Sequence, residues 1–183
     1  HLPFKIEKGD KQFVDCLPID KFESIKRLHL QYDYLAKARD LFLMQCYTGL
    51  AYSDLMVFDF TKCKQADGKY YYHAKRVKTD TDFTFQLLAG AVSVLKKYNF
   101  KLPCISNQKY NEYLKVIGMM VNVPNLHSHM GRATAATLFL SFGMPLNVVA
   151  KVLGHTNIRQ TQRYARTLNK DVYSAFDNID GKF

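Results

Sequence analysis

Within the run LGHTNIRQTQRYAR, residues 153–166, one phenol stands between two arginines: Tyr164, with Arg163 before it and Arg166 two places on. Three chemistries are open to it: packing as a core aromatic, touching DNA from a helix, or attacking a phosphate. The last needs assistance, because an ordinary phenol ionises only near pH ~10, and basic neighbours lower the cost of forming the phenolate. A second cluster, His129-Met130-Gly131-Arg132, sets an imidazole and a guanidinium three residues apart. On a helix the two share a face and can grip one anion. His-x-x-Arg by itself arises often by chance. Its weight comes from order along the chain, since Leu153-Gly154-His155 follows it and Tyr164 comes nine residues after His155.

Two rival chemistries fit parts of this pattern. LNVVAKVLGHTNIRQTQRYA scans as a helix-turn-helix, with an apolar first helix, a turn at Gly154 and a basic second helix suited to a major groove. On that reading Tyr164 and Arg163 contact phosphates and nothing is cut, but the HMGR segment has no role. A metal site at His127-x-His129 with His155 lacks nearby carboxylates or thiolates, so no metal or other cofactor is expected.

The elements that must position these groups are read from periodicity. Pro18-Ile19-Asp20 starts a helix through KFESIKRLHL, and a second runs from about Leu35 to a break at Gly49. The middle changes character: MVFDF (56–60), KYYYHAKRV (69–77) and FTFQLL (83–88) read as three strands with turns at Asp67-Gly68 and Thr79–Asp82. Helical spacing returns with AGAVSVLKKY, NQKYNEYLKVIGMM, a stretch from Ser128 to Phe142-Gly143, PLNVVAKVL, IRQTQRYAR and KDVYSAFD. Pro145 suits a first helical turn. The expected fold is mainly α with a small three-stranded antiparallel sheet.

Composition bounds the function. The 183 residues suit one domain, 48% are hydrophobic and 23% charged, so the chain folds rather than remaining disordered. Lys and Arg number 26 against 16 Asp and Glu, and that surplus attracts polyanions, nucleic acid foremost, although charge alone does not separate nucleic acid from an anionic membrane. Cys16, Cys46, Cys63 and Cys104 show no zinc or dithiol spacing, which points to reduced thiols in a cytoplasmic protein. There is neither a membrane-length apolar run nor a signal-peptide pattern, and a first residue of His1 rather than Met points to a fragment with an N-terminal partner domain removed.

The segment HSHMGRATAATLFLSFGMPLNVVAKVLGHTNIRQTQRYAR closely resembles the C-terminal signature of tyrosine recombinases, the phage and transposon integrase family: His-x-x-Arg, Leu-Gly-His, then Thr-x-x-Tyr. Upstream, ARDLFLMQCYTGLAYSDL resembles that family's first box, in the style of integrases from mobile elements of Bacteroides-like bacteria. The resemblance spans about Pro18 to Asp177. It implies a recombinase catalytic domain over residues 16–183, with residues 1–15 as a lead or linker remnant, acting on double-stranded DNA without metal or ATP.

Roles follow residue by residue from the resemblance. Tyr164 attacks the scissile phosphate, forming a 3′-phosphotyrosine and freeing a 5′-hydroxyl. Arg132 binds a non-bridging oxygen, His129 orients the phosphate and helps move the phenol proton, and His155 donates to the developing charge. Lys78, beside the turn between the second and third strands, matches the lysine that protonates the leaving oxygen, with Lys75 and Arg76 competing for that role. Asp54 matches an acidic residue that supports the site's arginine or lysine. Thr134 is retained, and Ala133 stands where many members have His.

The chief departure is Thr48-Gly49-Leu50-Ala51, where most members have Thr-Gly-Leu-Arg. Arg39 is the candidate substitute, ahead of Arg27, yet along an unbroken helix it lies roughly 18 Å from position 51; its bland alternative is an ion pair with Asp40. Recombination implies four protomers on two duplexes, the isolated domain being monomeric. The last segment, KDVYSAFDNIDGKF, docks on a neighbour or packs on its own domain, and single-strand cutting and resealing in the manner of type IB topoisomerases is a subset of the same chemistry.

Overall fold

The computed structural model describes residues 15–177, with side chains described as far as Leu168. The lead expected over residues 1–15 therefore lies, apart from Asp15, outside the described residues, as do the side chains of the final segment.

Helix α2 (Asp33–Thr48) is the axis of the fold. It has no single polar face, because α4 (Ala89–Lys97), α5 (Asn107–Met120) and α6 (Ser128–Ser141) pack around it. Leu41, Phe42 and Met44 are fully buried there, and so is Gln45, whose amide donates to the Leu50 carbonyl at 3.1 Å while its oxygen accepts from Tyr110 at 2.8 Å. Short α1 (Ile19–Arg27) lies against α2, to which it presents Phe22 and Ile25. Gly49, in the left-handed conformation at φ 72°, ends α2, and α3 (Tyr52–Met56) follows at once.

The sheet has three antiparallel strands in sequence order, β1 (Lys64–Ala66), β2 (Lys69–Lys75) and β3 (Asp82–Gln86). Tyr72 pairs with Phe85 and Ala74 with Phe83. The strand expected at MVFDF is not one: it holds the end of α3, a loop and a 3₁₀ turn (Phe60–Lys62). Its aromatics have strand-forming composition, but Phe58 packs on the Tyr72 ring and Phe60 on Tyr70 and Phe100, so their partial burial comes from a segment lying across the sheet. The first strand falls instead on polar KQA.

Helix α7 (Leu146–Leu153) ends at Gly154, also left-handed at φ 62°, and α8 (Ile158–Asp177) packs on both α6 and α7. The two helices expected after Gly154 are one. Nothing in Thr167-Leu168-Asn169 interrupts a helix, and the basic and apolar spacing continues through it. Among the described residues no helix is long and apolar enough to cross a membrane.

Candidate active site

The ends of α3, α6, α7 and α8 and the β2–β3 hairpin border a cleft of about 340 Å³. Its lining includes Lys78 from the hairpin, His129 and Arg132 from α6, His155 from the α7–α8 turn, Tyr164 from α8, and Ala51, Asp54 and Arg76. Five of the six residues singled out for chemistry thus meet in one place, although Lys78 and Tyr164 are far apart in sequence.

Arg132 explains much of the geometry. Only 9% exposed, it donates from Nη1 to the Gly49 carbonyl at 2.8 Å and from Nη2 to the Leu153 carbonyl at 2.7 Å. Both carbonyls belong to helix C-termini, where backbone acceptors lack partners and a cation is favoured by the helix dipole. The same guanidinium makes a polar contact with the Tyr164 hydroxyl. Burial is the main pressure lowering its proton affinity, followed by repulsion from Arg76.

Tyr164 is 5% exposed and rests on Ala133, Ala136, Val149 and Leu153, while its position also lines the cleft. Basic neighbours were expected to ease its ionisation. Arg132 and Arg163 do act that way, but loss of water outweighs them and the phenol's pKa lies above its ordinary value. In the cleft as it stands, the phenol is held protonated.

Both imidazoles of the cleft are pushed toward neutrality. His155 falls to about 4, through burial first and then Arg132 and Arg76. Its Nδ1 pairs with the buried Thr161 hydroxyl at 2.8 Å, and its ring lies parallel to that of Tyr164. His129, on the open side, is lowered by partial loss of water and then by Arg132. His127, at the N-cap of α6, pairs with the Asn125 carbonyl at 2.8 Å. Among the described residues no three His, Cys, Asp or Glu side chains cluster in a metal-binding arrangement.

Lys78 stands exposed on the rim, while Lys75 points away and pairs with Asp80 at 3.0 Å. Asp54 sets the hairpin's position: one carboxylate oxygen accepts from the Val77 N–H and the other from Arg76 Nη1, both at 2.8 Å.

Arg39 requires a correction. It is turned away from the cleft, donating from Nε to Asp40 at 2.9 Å and from Nη1 to the Leu28 carbonyl at 2.6 Å. Helix α2 is unbroken between Arg39 and Thr48, so the separation along its axis persists and the ion pair prevails. The arginine that joins Arg132 in the cleft is Arg76, which the sequence offers only as a rival to Lys78. Strand parity carries the signal that would have found it: on β2 Tyr72 is buried and Tyr71, His73 and Lys75 are exposed, so position 76 continues the inward face.

Residues 98–171 match the phage integrase family. No curated protein sequence matches the chain. Among solved structures, the XerH site-specific recombinase in a post-cleavage complex with palindromic difH substrate superposes with a TM-score of 0.67 at 20% identity, covering 86% of this chain and 50% of that one. Its pre-cleavage complex gives 0.68 at 20% identity over 90% and 53%. A λ integrase fragment, as a dimer bound to a COC′ core site, gives 0.61 at 15% identity over 86% and 60%. The chain thus spans about half the length of the XerH chains and shares their fold.

Proposed function

We propose that this chain is a member of the phage integrase family and the catalytic domain of a site-specific DNA recombinase, an integrase of a mobile element. One observation carries the reading: Lys78, His129, Arg132, His155 and Tyr164 line a single cleft. A helix-turn-helix module requires only α7 and α8 and gives the hairpin lysine and α6 no reason to converge there.

In this reading a scissile phosphate enters the cleft and Arg132 donates to a non-bridging oxygen, a task suited to a planar fork that stays charged throughout. The Tyr164 oxygen attacks phosphorus. A bond forms from the phenol oxygen to phosphorus and the bond from phosphorus to the 5′-oxygen breaks, giving a 3′-phosphotyrosine. His129, neutral at pH 7, takes the phenol proton. With Thr161 donating to Nδ1, His155 carries its proton on Nε2 and gives a hydrogen bond to the developing charge. Lys78 delivers a proton to the leaving 5′-oxygen. The new ester conserves the phosphodiester's energy, so rejoining to another 5′-hydroxyl needs no ATP. Double-stranded DNA is the substrate, four protomers around two duplexes form the working assembly, and the protein acts in the cytoplasm.

The test is covalent trapping. A library of randomised duplexes, each nicked in one strand, lets a short 5′-hydroxyl fragment diffuse away after cleavage, so the protein–DNA ester accumulates on a denaturing gel. The native chain should yield adducts, and Tyr164→Phe none, while duplex binding is retained. Binding by the native chain with no adduct on any duplex would reduce it to a passive DNA-binding module.

A further inference from the structure

The cleft holds a guanidinium that the roles above leave unused. Arg76 is 5% exposed, sits on the inward face of the hairpin and lines the same cavity as Arg132, His155 and Tyr164. Its Nη1 donates to Asp54 and its Nη2 to the Val152 carbonyl at 2.9 Å, adjacent to the Leu153 carbonyl that Arg132 holds. Its guanidinium carbon stacks 3.9 Å from the centroid of the Phe83 ring, which fixes the plane of the fork. Of its five N–H groups these contacts occupy two, and Nε is buried without a partner among the described residues.

Such a placement is electrically incomplete. Among the described lining residues the fixed cations are Lys78, Arg76 and Arg132, and the one carboxylate is Asp54, which leaves two positive charges in surplus. Two of those cations are guanidiniums buried under the same helix end, and each lowers the other groups' affinity for protons: Arg76 acts on both Arg132 and His155. A surplus of two is what a phosphodiester needs on its way through a five-coordinate, doubly charged transition state. Ala51 lines the same cleft and contributes only a methyl group to it.

Building on the strand-cleaving reading, we propose that Arg76 is the second phosphate-binding guanidinium of the site, reaching from the hairpin into the cleft that Ala51 lines without a charge. Gly154 makes room for it: a Cβ there would lie 2.8 Å from Arg76 Nε and 3.0 Å from its Cγ. Asp54 then holds Arg76 and the Val77 N–H together, so the one carboxylate positions both the second arginine and the loop that carries Lys78.

The test compares two substrates within one variant, so that a reduced folded fraction cancels. A nicked duplex recovered from the trapping library is made with the cleaved linkage either as the natural diester or as an uncharged methylphosphonate. In Arg76→Ala, cleavage of the diester should fall ~10²- to 10³-fold relative to the native chain, the usual loss for one preorganised donor, while the methylphosphonate rate falls less than tenfold. Arg76→Lys, which keeps the charge and is the fallback if the alanine variant does not fold, should show the same selectivity at smaller amplitude. Equal losses on both substrates would mean that Arg76 only holds the hairpin, and unchanged diester cleavage would remove it from the site; either overturns the proposal. If the native chain formed no adduct, the cleavage reading itself would fail first.

Discussion

Two arginine–aspartate pairs, each with a buried carboxylate, differ in how far water reaches the cation: the Arg39 side chain is 15% exposed and that of Arg76 5%. Around Asp40 the carboxylate accepts from Arg39 Nε at 2.9 Å, Lys97 Nζ at 2.6 Å and the Tyr98 hydroxyl at 2.8 Å, and the Lys97 side chain is 49% exposed to water. That cluster is closed. It joins α2, α4 and the segment after α1, and water shares its extra charge. Around Asp54 the carboxylate meets Arg76 and a backbone N–H, while a second guanidinium, Arg132, lies in the same cleft with its fork spent on carbonyls rather than on an acid. That cluster is open, and an anion would complete it. An ion pair therefore says little about function until the charges around it are counted.

The largest effects should come from removing the two carboxylates. Asp54→Ala leaves the buried Arg76 guanidinium uncompensated and should lose about 3 to 5 kcal/mol in urea unfolding, and Asp40→Ala should lose less, because Arg39 and Lys97 are partly exposed to water. The comparison sharpens with added anion: 100 mM inorganic phosphate should recover part of the loss in Asp54→Ala, because the ligand binds the folded state alone, and should do nothing specific for Asp40→Ala. Equal responses to phosphate would erase the distinction. Gly154→Ala should be milder in stability, about 1 to 2 kcal/mol for forcing a side chain into the left-handed region, yet it should depress trapping of DNA further than stability alone explains, since the new Cβ meets Arg76.

The smallest effect is one of pH. His155 titrates near 4 when folded, below the ordinary 6.5, so protonation favours the unfolded chain. Its contribution is complete above about pH 6.5 and shrinks as the pH falls toward about 4. His155→Gln should flatten that part of the profile of thermal unfolding against pH, whereas a flat profile in the native chain would contradict the assigned environment.

How much of this was legible in the sequence differs along the chain. From Ser128 to Tyr164 the helices announced themselves through Pro145 and Gly154, and the family resemblance carried by the motif order implied that His129, Arg132, His155 and Tyr164 share a site. The region from Arg39 to Arg76 was harder, because side-chain direction there depends on tertiary packing. MVFDF has strand composition, yet its aromatics cover the sheet from outside it. Arg39 was nearer to the expected box in sequence than Arg76, but a rigid helix keeps such distances, while a hairpin folds back across them. The raised pKa of Tyr164 was not legible for a related reason: charges can be counted along a sequence, and the water withdrawn by burial cannot.

Helix α8 runs unbroken for 20 residues, and Tyr164 belongs to its second turn. A phenol mounted on such a rod has two ways to travel: its own side-chain torsions, or motion of the whole shaft. Over ~30 Å of length, a small tilt at the far end is delivered at the near end as a shift in where the oxygen points. The direction of the shaft therefore sets where the Tyr164 hydroxyl points, as the stock of a rifle sets the aim of its barrel.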